Sequence, residues 1–120
     1  MKRIVGSRLD DVPEENKGGS CFVDAYHEFM KNPNQYTLVH GVVSGQGPLE
    51  GIKYCHAWVL DGDTVIDRTL EPEMQRLPKA LYYYIGQIEI TREYDLKAVH
   101  EMTAEFGTYG PWDDIFNRYP

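Results

Sequence analysis

One stretch decides the fold of this chain: Tyr54-Cys55-His56-Ala57-Trp58-Val59-Leu60-Asp61-Gly62-Asp63-Thr64-Val65-Ile66-Asp67. Two runs rich in β-branched and aromatic residues flank an Asp-Gly pair, which is the strongest short-range signal for a β-hairpin. With Asp61-Gly62 as the turn, His56 lies opposite Asp67. Directly opposite residues have Cβ atoms roughly 4.5–5.5 Å apart. The sequence therefore predicts that an imidazole meets a carboxylate on one face of this hairpin.

A thiol lies upstream, where a glycine-containing loop is expected to become a helix, in Gly18-Gly19-Ser20-Cys21-Phe22. The apolar residues that follow recur with helical spacing. The free N–H groups and the dipole at a helix N-terminus stabilise a thiolate and can hold a developing oxyanion. A thiol, an imidazole and a carboxylate that orients it are the parts of a cysteine nucleophile system. Cys21, His56 and Asp67 are therefore the candidate catalytic residues.

Cys55 is the other thiol, and strand alternation argues against it as the nucleophile. Adjacent strand residues point to opposite faces, so Cys55 is expected to share a face with Ala57 and Val59 rather than with His56. That pattern predicts a core position. A small buried hydrophobe is also the alternative interpretation of Cys21. The spacing of the cysteines and histidines lacks the close ligand pairs of structural zinc sites, so no metal and no cofactor are expected.

The remaining histidines are weaker candidates. His27 and His100 lie on predicted helices, away from the apolar stripe, and are expected to face solvent. His40 lies on a predicted strand, where a half-buried histidine with satisfied hydrogen bonds is expected.

Two amides and two aromatic residues are candidates for supporting roles. Asn16 and Gln46 could donate a side-chain N–H to an oxyanion, although an amide at such a position is more often an ordinary loop residue. Trp58 and Tyr83 could line a substrate cleft. The alternative for the three successive tyrosines around Tyr83 is a strand with one buried side and one exposed side.

The rest of the chain predicts further strands and a second helix. We expect strands over Tyr36–Val43 and Gly86–Ile90, and a helical turn over Glu71–Leu77. Apolar spacing predicts a helix from Leu96 to Phe106 that Gly107 ends, followed by an aromatic tail that packs back on the body. A helix, then antiparallel strands, then a helix indicates an α+β fold rather than an alternating parallel one.

Length and charge restrict the function further. A chain of 120 residues predicts one domain spanning 1–120. The formal net charge of −7 argues against nucleic acid or an anionic membrane as the default partner. No apolar run approaches the roughly 20 residues of a membrane span, and the first residues do not resemble a secretory signal. Two cysteines kept as thiols then indicate the cytoplasm.

These motifs resemble the papain-like superfamily of cysteine enzymes, in its transglutaminase-like and NlpC/P60-like branches. Those families share an order of motifs, which here is Gly19-Ser20-Cys21, then His56-Ala57-Trp58-Val59, then Val65-Ile66-Asp67-Arg68-Thr69. The His-Ala-Trp-Val and Asp-x-Thr pieces are most similar to the transglutaminase-like branch. The resemblance covers roughly residues 16–70. The second half departs from it and resembles small proteins of phage and bacterial genomes.

The resemblance implies a papain-like core, in which an N-terminal helix carrying the cysteine packs on an antiparallel sheet. It implies a cysteine-dependent hydrolase or acyltransferase that acts on an amide bond of a peptide, protein or small amide, with Cys21, His56 and Asp67 as a triad. The alternative from another class is a non-catalytic binding or inhibitor protein on the same scaffold, because the tyrosines and tryptophan of the second half would suit an interface. A third option, a redox protein, would predict a disulfide between Cys21 and Cys55.

Overall fold

The computed structural model describes residues 20–45 and 47–119. The elements in chain order are α1 (Ser20–Phe29), β1 (Thr37–Ser44), β2 (Lys53–Asp61), β3 (Thr64–Ile66), β4 (Arg76–Pro78), α2 (Lys79–Ile85), β5 (Thr91–Tyr94) and α3 (Leu96–Phe106). The strands form one antiparallel sheet in the order β4-β3-β2-β1-β5. The predicted α+β class is confirmed, with three helices rather than two.

Helix α1 begins where the sequence predicts. Its residues Phe22, Ala25 and Phe29 are buried at helical spacing and pack on one face of the sheet. Beyond Phe29 the chain turns through Asn32-Pro33-Asn34 before β1 begins. The apolar stripe of α1 therefore packs on the sheet. The first turn of the helix, which carries Cys21, lies beside β2.

The sheet separates two apolar clusters. The α1 face carries the larger cluster, to which β2 contributes Cys55, Ala57 and Val59. The opposite face carries a smaller cluster that includes Trp58 and Val65, covered by tyrosines of α2. This strict alternation along β2 follows from the period of two in a strand. Cys55 is a core residue, as predicted.

The hairpin is present, but its turn lies one residue further along than predicted. Asp61 pairs with Thr64, so Gly62 and Asp63 form the two-residue loop. Gly62 has a φ of 62°, and a two-residue hairpin with glycine in the first loop position is a favoured turn. The predicted pairing of His56 directly with Asp67 is therefore wrong. The register places Asp67 across from Trp58, one pleat away from His56.

Two predictions in the second half are also wrong. Residues Gly86–Ile90 are not a strand, because α2 occupies Lys79–Ile85 and β5 begins only at Thr91. Pro78 is the N-cap residue of α2, followed by the strong helix formers lysine, alanine and leucine. That start outweighs the β-preference of the three tyrosines, a preference that depends on context. The Glu71–Leu77 segment contains a 3₁₀ turn, Pro72–Met74, but it continues into the unpredicted strand β4.

The C-terminal part agrees with the sequence. Helix α3 ends at Gly107, whose φ of 67° is left-handed, as expected for a helix that stops at glycine. The aromatic tail packs back on the α1 face, where Trp112 and Phe116 are buried. Within residues 20–45 and 47–119, no helix has the length and apolar content needed to cross a membrane.

Candidate functional site

His56 and Asp67 meet although they are not opposite each other. His56 Nε2 lies 2.9 Å from Asp67 Oδ2, and the two side chains are only 12% and 2% exposed. Moving the turn by one residue shifts the pairing by two positions, so both side chains stay on the same face. Diagonal neighbours on a sheet face remain within reach of long side chains. The predicted contact is thus present through a different register.

The shortness of β3 opens an edge of the sheet at this point. Within β2, only Val59–Asp61 pair with β3. The earlier part of β2 therefore has no partner strand on that side in the described chain. His56 lies in this uncovered part. Cys21, in the first turn of α1, reaches it there and is hydrogen-bonded to the imidazole. The structure therefore brings together the three side chains that the sequence singled out.

Cys21 has little exposed surface, with 8% of its area accessible. The first N–H groups of a helix have no partner within the helix. Asp67 contacts His56 Nε2. The imidazole thus interacts with both a thiol and a carboxylate.

Asp67 is fixed by more partners than the histidine. Its Oδ1 accepts hydrogen bonds from the Thr69 hydroxyl at 2.6 Å and from the Thr69 backbone N–H at 3.0 Å. Its Oδ2 accepts a third from the Tyr82 hydroxyl at 2.6 Å. Its own N–H donates to the Gln75 carbonyl at 2.8 Å. With both oxygens satisfied, the carboxylate is held in one orientation toward His56.

These contacts favour the charged form of both side chains. Burial alone would lower the pKa of His56, but hydrogen bonds to Asp67 and Cys21 and their negative charges raise it to about 10. Burial likewise tends to raise the pKa of Asp67, yet the bond and charge of His56, with the Thr69 and Tyr82 bonds, hold it well below its usual range. The pair is therefore imidazolium and carboxylate at neutral pH.

Cys55 is held in the core on the other face. Its thiol donates to the Phe116 carbonyl at 3.1 Å, and burial followed by the nearby Cys21 raises its pKa. Neither cysteine forms a disulfide. A raised pKa disfavours the reactive thiolate, so the environment of Cys55 is that of a structural residue.

His40 differs from the expectation of a satisfied, half-buried histidine. It is fully buried, and neither ring nitrogen has a hydrogen-bond partner in the part of the chain that the structure describes. Aromatic rings surround it, with ring centroids at 4.7 Å for Trp112, 4.9 Å for Phe22 and 5.0 Å for Tyr94. Burial lowers the pKa of His40 to about 3. His27 and His100 are exposed, as predicted.

The remaining candidates are divided. Trp58 has no exposed surface, so in this structure it does not form a cleft wall. Its ring packs near that of His56, with the ring centroids 6.1 Å apart. Tyr83 accepts a hydrogen bond from the Trp58 indole at 3.3 Å and lines a surface cleft. Asn16 and Gln46 lie outside the described residues, so their role as oxyanion donors stays a prediction.

The hydrogen bonds that Thr69 and Tyr82 donate to Asp67 were not predicted from the sequence. The Thr69 contact could have been, because an aspartate side chain commonly bonds to the backbone two residues later. Tyr82 could not, since its contact exists only once α2 packs across the sheet.

Among the described residues, no group of three or more histidine, cysteine, aspartate and glutamate side chains is arranged to hold a metal ion. No protein-family model, curated protein or solved structure matches this chain. The site must therefore be interpreted from its own chemistry.

Proposed function

We propose that this chain is a cysteine-dependent hydrolase or acyltransferase that acts on an amide bond through Cys21, His56 and Asp67, on a scaffold of the papain-like type. The observation that carries the proposal is the half-buried His56, which is hydrogen-bonded to the Cys21 thiol and, at 2.9 Å, to the Asp67 carboxylate. A nucleophile, a base and a group that orients the base form the minimal set for covalent acyl transfer.

The surroundings of His56 favour catalysis over a structural ion pair. Asp67 already has hydrogen bonds from Thr69 and Tyr82, so its orientation does not depend on His56. Cys21 lies beside this imidazole, and a cysteine next to a histidine is the arrangement of cysteine nucleophiles. The helix-borne cysteine, the strand-borne histidine and the following aspartate also support the papain-like scaffold, since they keep the order of that superfamily.

In the first half of the proposed reaction, the Cys21 sulfur bonds to the amide carbonyl carbon and the carbonyl electron pair moves to oxygen. When this tetrahedral intermediate collapses, the carbon–nitrogen bond breaks. The His56 imidazolium gives its proton to the leaving amine, which leaves a thioester on Cys21 and a neutral imidazole. N–H groups at the start of α1 are the available donors to the oxyanion.

In the second half, water or an amine attacks the thioester and His56 takes its proton. The carbon–sulfur bond breaks and the thiolate returns beside the imidazolium. Water gives a carboxylic acid and an amine gives a new amide. Asp67 remains ionised throughout and holds the ring in position.

Alkylation of the two cysteines tests the triad directly. Iodoacetamide at neutral pH is expected to label Cys21 faster than Cys55, measured by mass spectrometry of the two cysteine peptides. His56→Ala removes the imidazolium beside the sulfur and should slow labelling of Cys21 on the order of tenfold. His27→Ala, on the exposed side of α1, is the matched control and should leave both rates unchanged.

Slow labelling of Cys21 at the rate of Cys55, or a Cys21 rate indifferent to His56→Ala, would contradict the triad. A biological activity that survives Cys21→Ala would instead favour a non-catalytic binding protein. A mass lower by two hydrogens that reductant restores would indicate a Cys21–Cys55 disulfide.

A further inference from the structure

A cleft of about 790 Å³ lies between the end of α2 and the loop that joins β1 to β2. Ligand pockets in proteins have volumes of roughly 300–1,000 Å³. The side chains that define this cleft are aromatic, aliphatic and acidic: Tyr83, Tyr84, Ile85, Ile88, Glu50 and Glu89. The walls of the cleft therefore combine apolar surface with negatively charged carboxylates.

The α2 side of the cleft is held rigidly. The Gly86 carbonyl accepts a hydrogen bond from the Ser44 N–H at 2.8 Å, which ties the end of α2 to β1. The Ile88 N–H donates to the Tyr83 carbonyl at 3.0 Å. Between them Gln87 has a φ of 51°, a left-handed conformation that non-glycine residues adopt only where the surrounding structure fixes it. The cleft is therefore present before any ligand binds.

Helix α2 connects this cleft to the catalytic residues. Successive helix positions are rotated by about 100°, so the three tyrosines point in different directions. Tyr82 reaches Asp67, Tyr83 lies between Trp58 and the cleft, and Tyr84 is 82% exposed in the cleft wall. A second connection is Tyr54, which packs in the same cluster as Tyr83, with its ring centroid 6.1 Å from that of His56.

The electrostatics of the cleft select for positive charge. Glu50 and Glu89 are exposed, and neither has an ion-pair partner among the described residues. None of the described lining residues is basic. The exposed ring of Tyr84 adds cation–π attraction, which strengthens as a cation loses water.

We propose that this cleft binds a lysine or arginine side chain of the polypeptide whose amide bond is attacked by Cys21. The aliphatic stem of that side chain packs on Ile85 and Ile88, and its charged end lies between the carboxylates. This inference rests on the proposed function, because it assigns the substrate class of the same site.

Binding of a labelled peptide tests the cleft without any turnover. The full chain carrying Cys21→Ala is titrated against a short fluorescent peptide of alternating glycine and lysine, and fluorescence anisotropy reports binding. Glu50→Gln with Glu89→Gln should weaken binding by about tenfold, and Tyr84→Ala should also weaken it. A peptide with glutamate in place of lysine should not bind.

Glu71→Gln with Glu73→Gln is the matched control, since it removes the same charge from exposed positions outside the cleft. Equal weakening by both double variants would overturn the proposal, because it would mean that only the net charge attracts the peptide. Absence of binding to the Cys21→Ala chain would overturn it as well. Neither result affects the Cys21 labelling rates, so failure of the cleft and failure of the triad are distinguishable.

Discussion

Two histidines on neighbouring strands, His40 buried and His56 half-buried, have opposite chemistry. In the register of β1 and β2, His40 pairs with Ala57 and Gly41 pairs with His56, so the two imidazoles lie one position apart on opposite faces of the sheet. His56 has a thiol and a carboxylate as partners, and its pKa is raised. Aromatic rings surround His40, its ring nitrogens have no hydrogen-bond partner among the described residues, and its pKa is lowered.

The difference shows that burial alone does not determine the charge of a histidine. Burial lowers the pKa of both residues, because it penalises the charged form. At His56 the hydrogen bonds and negative charges outweigh that cost, whereas at His40 nothing opposes it. The two faces of one sheet thus hold a neutral imidazole in the core and a charged imidazole at the proposed active site.

Asp67→Asn should have the largest effect, because it removes the negative charge beside His56 that helps to raise its pKa and that His40 lacks. Breaking a buried pair by removing one partner typically costs about 3 kcal/mol or more. The pKa of His56 should fall, measured by NMR titration of its ring protons. Stability should fall as well, measured by urea unfolding near pH 6, and Cys21 alkylation should slow.

The control for this change is Asp113→Asn. Asp113 binds Arg92 at 2.7 Å in an exposed ion pair. Exposed pairs contribute little to stability because solvent screens them. A loss of stability in Asp113→Asn as large as in Asp67→Asn would mean that burial of the His56 pair is not what matters. An unchanged His56 titration in Asp67→Asn would remove the physical basis of the triad.

The contact between His56 and Asp67 was predicted correctly from the sequence, whereas the strand register that produces it was not. Asp61-Gly62 and Gly62-Asp63 are both suitable two-residue loops, and local turn chemistry does not choose between them. The choice moves the pairing by two positions, which preserves the face of every side chain. His56 and Asp67 therefore still meet, and the alternation that assigned Cys55 to the core is unaffected.

Errors arose where the outcome depends on distant parts of the chain. Among the described residues His40 has no hydrogen-bond partner. The rings of Trp112 and Phe116, in the tail, pack against it, and strand spacing contains no information about that packing. Tyr82 lies in a helix rather than a strand, and its hydroxyl reaches Asp67 across the sheet. At Tyr82 the surrounding structure overrides a local β-preference.

His40→Leu should have an intermediate effect on stability, and only on the acid side of the pH profile. The folded pKa of about 3 lies below the unfolded value of 6.5, so the unfolded state binds more protons between them. The free energy of unfolding of the parent chain should therefore fall as pH drops from about 6 to about 4, by roughly 2–3 kcal/mol. Leucine removes this titration and two unsatisfied ring nitrogens.

Urea unfolding at several pH values measures this effect, and His56→Gln is the counterpart. The pKa of His56 is raised in the fold, so its contribution is complete below 6.5 and is lost as pH rises through about 10. His56→Gln should flatten the alkaline limb and leave the acid limb in place. If His40→Leu retains the acid limb of the parent chain, His40 is not the residue that titrates there.

Tyr82→Phe should have the smallest effect, because Asp67 keeps its other partners. The hydroxyl donates to the same oxygen, Oδ2, that His56 contacts, and its loss leaves the two bonds from Thr69 intact. We expect a loss of about 1 kcal/mol in stability and a change in Cys21 alkylation of less than tenfold, with an altered pH dependence. Tyr83→Phe is the matched control, since the Tyr83 hydroxyl contacts Trp58. If the two variants have the same alkylation profile across pH, the Tyr82 bond stabilises the fold without positioning the carboxylate. A change in Tyr82→Phe alone would show that the orientation of Asp67, and not only its charge, distinguishes His56 from His40.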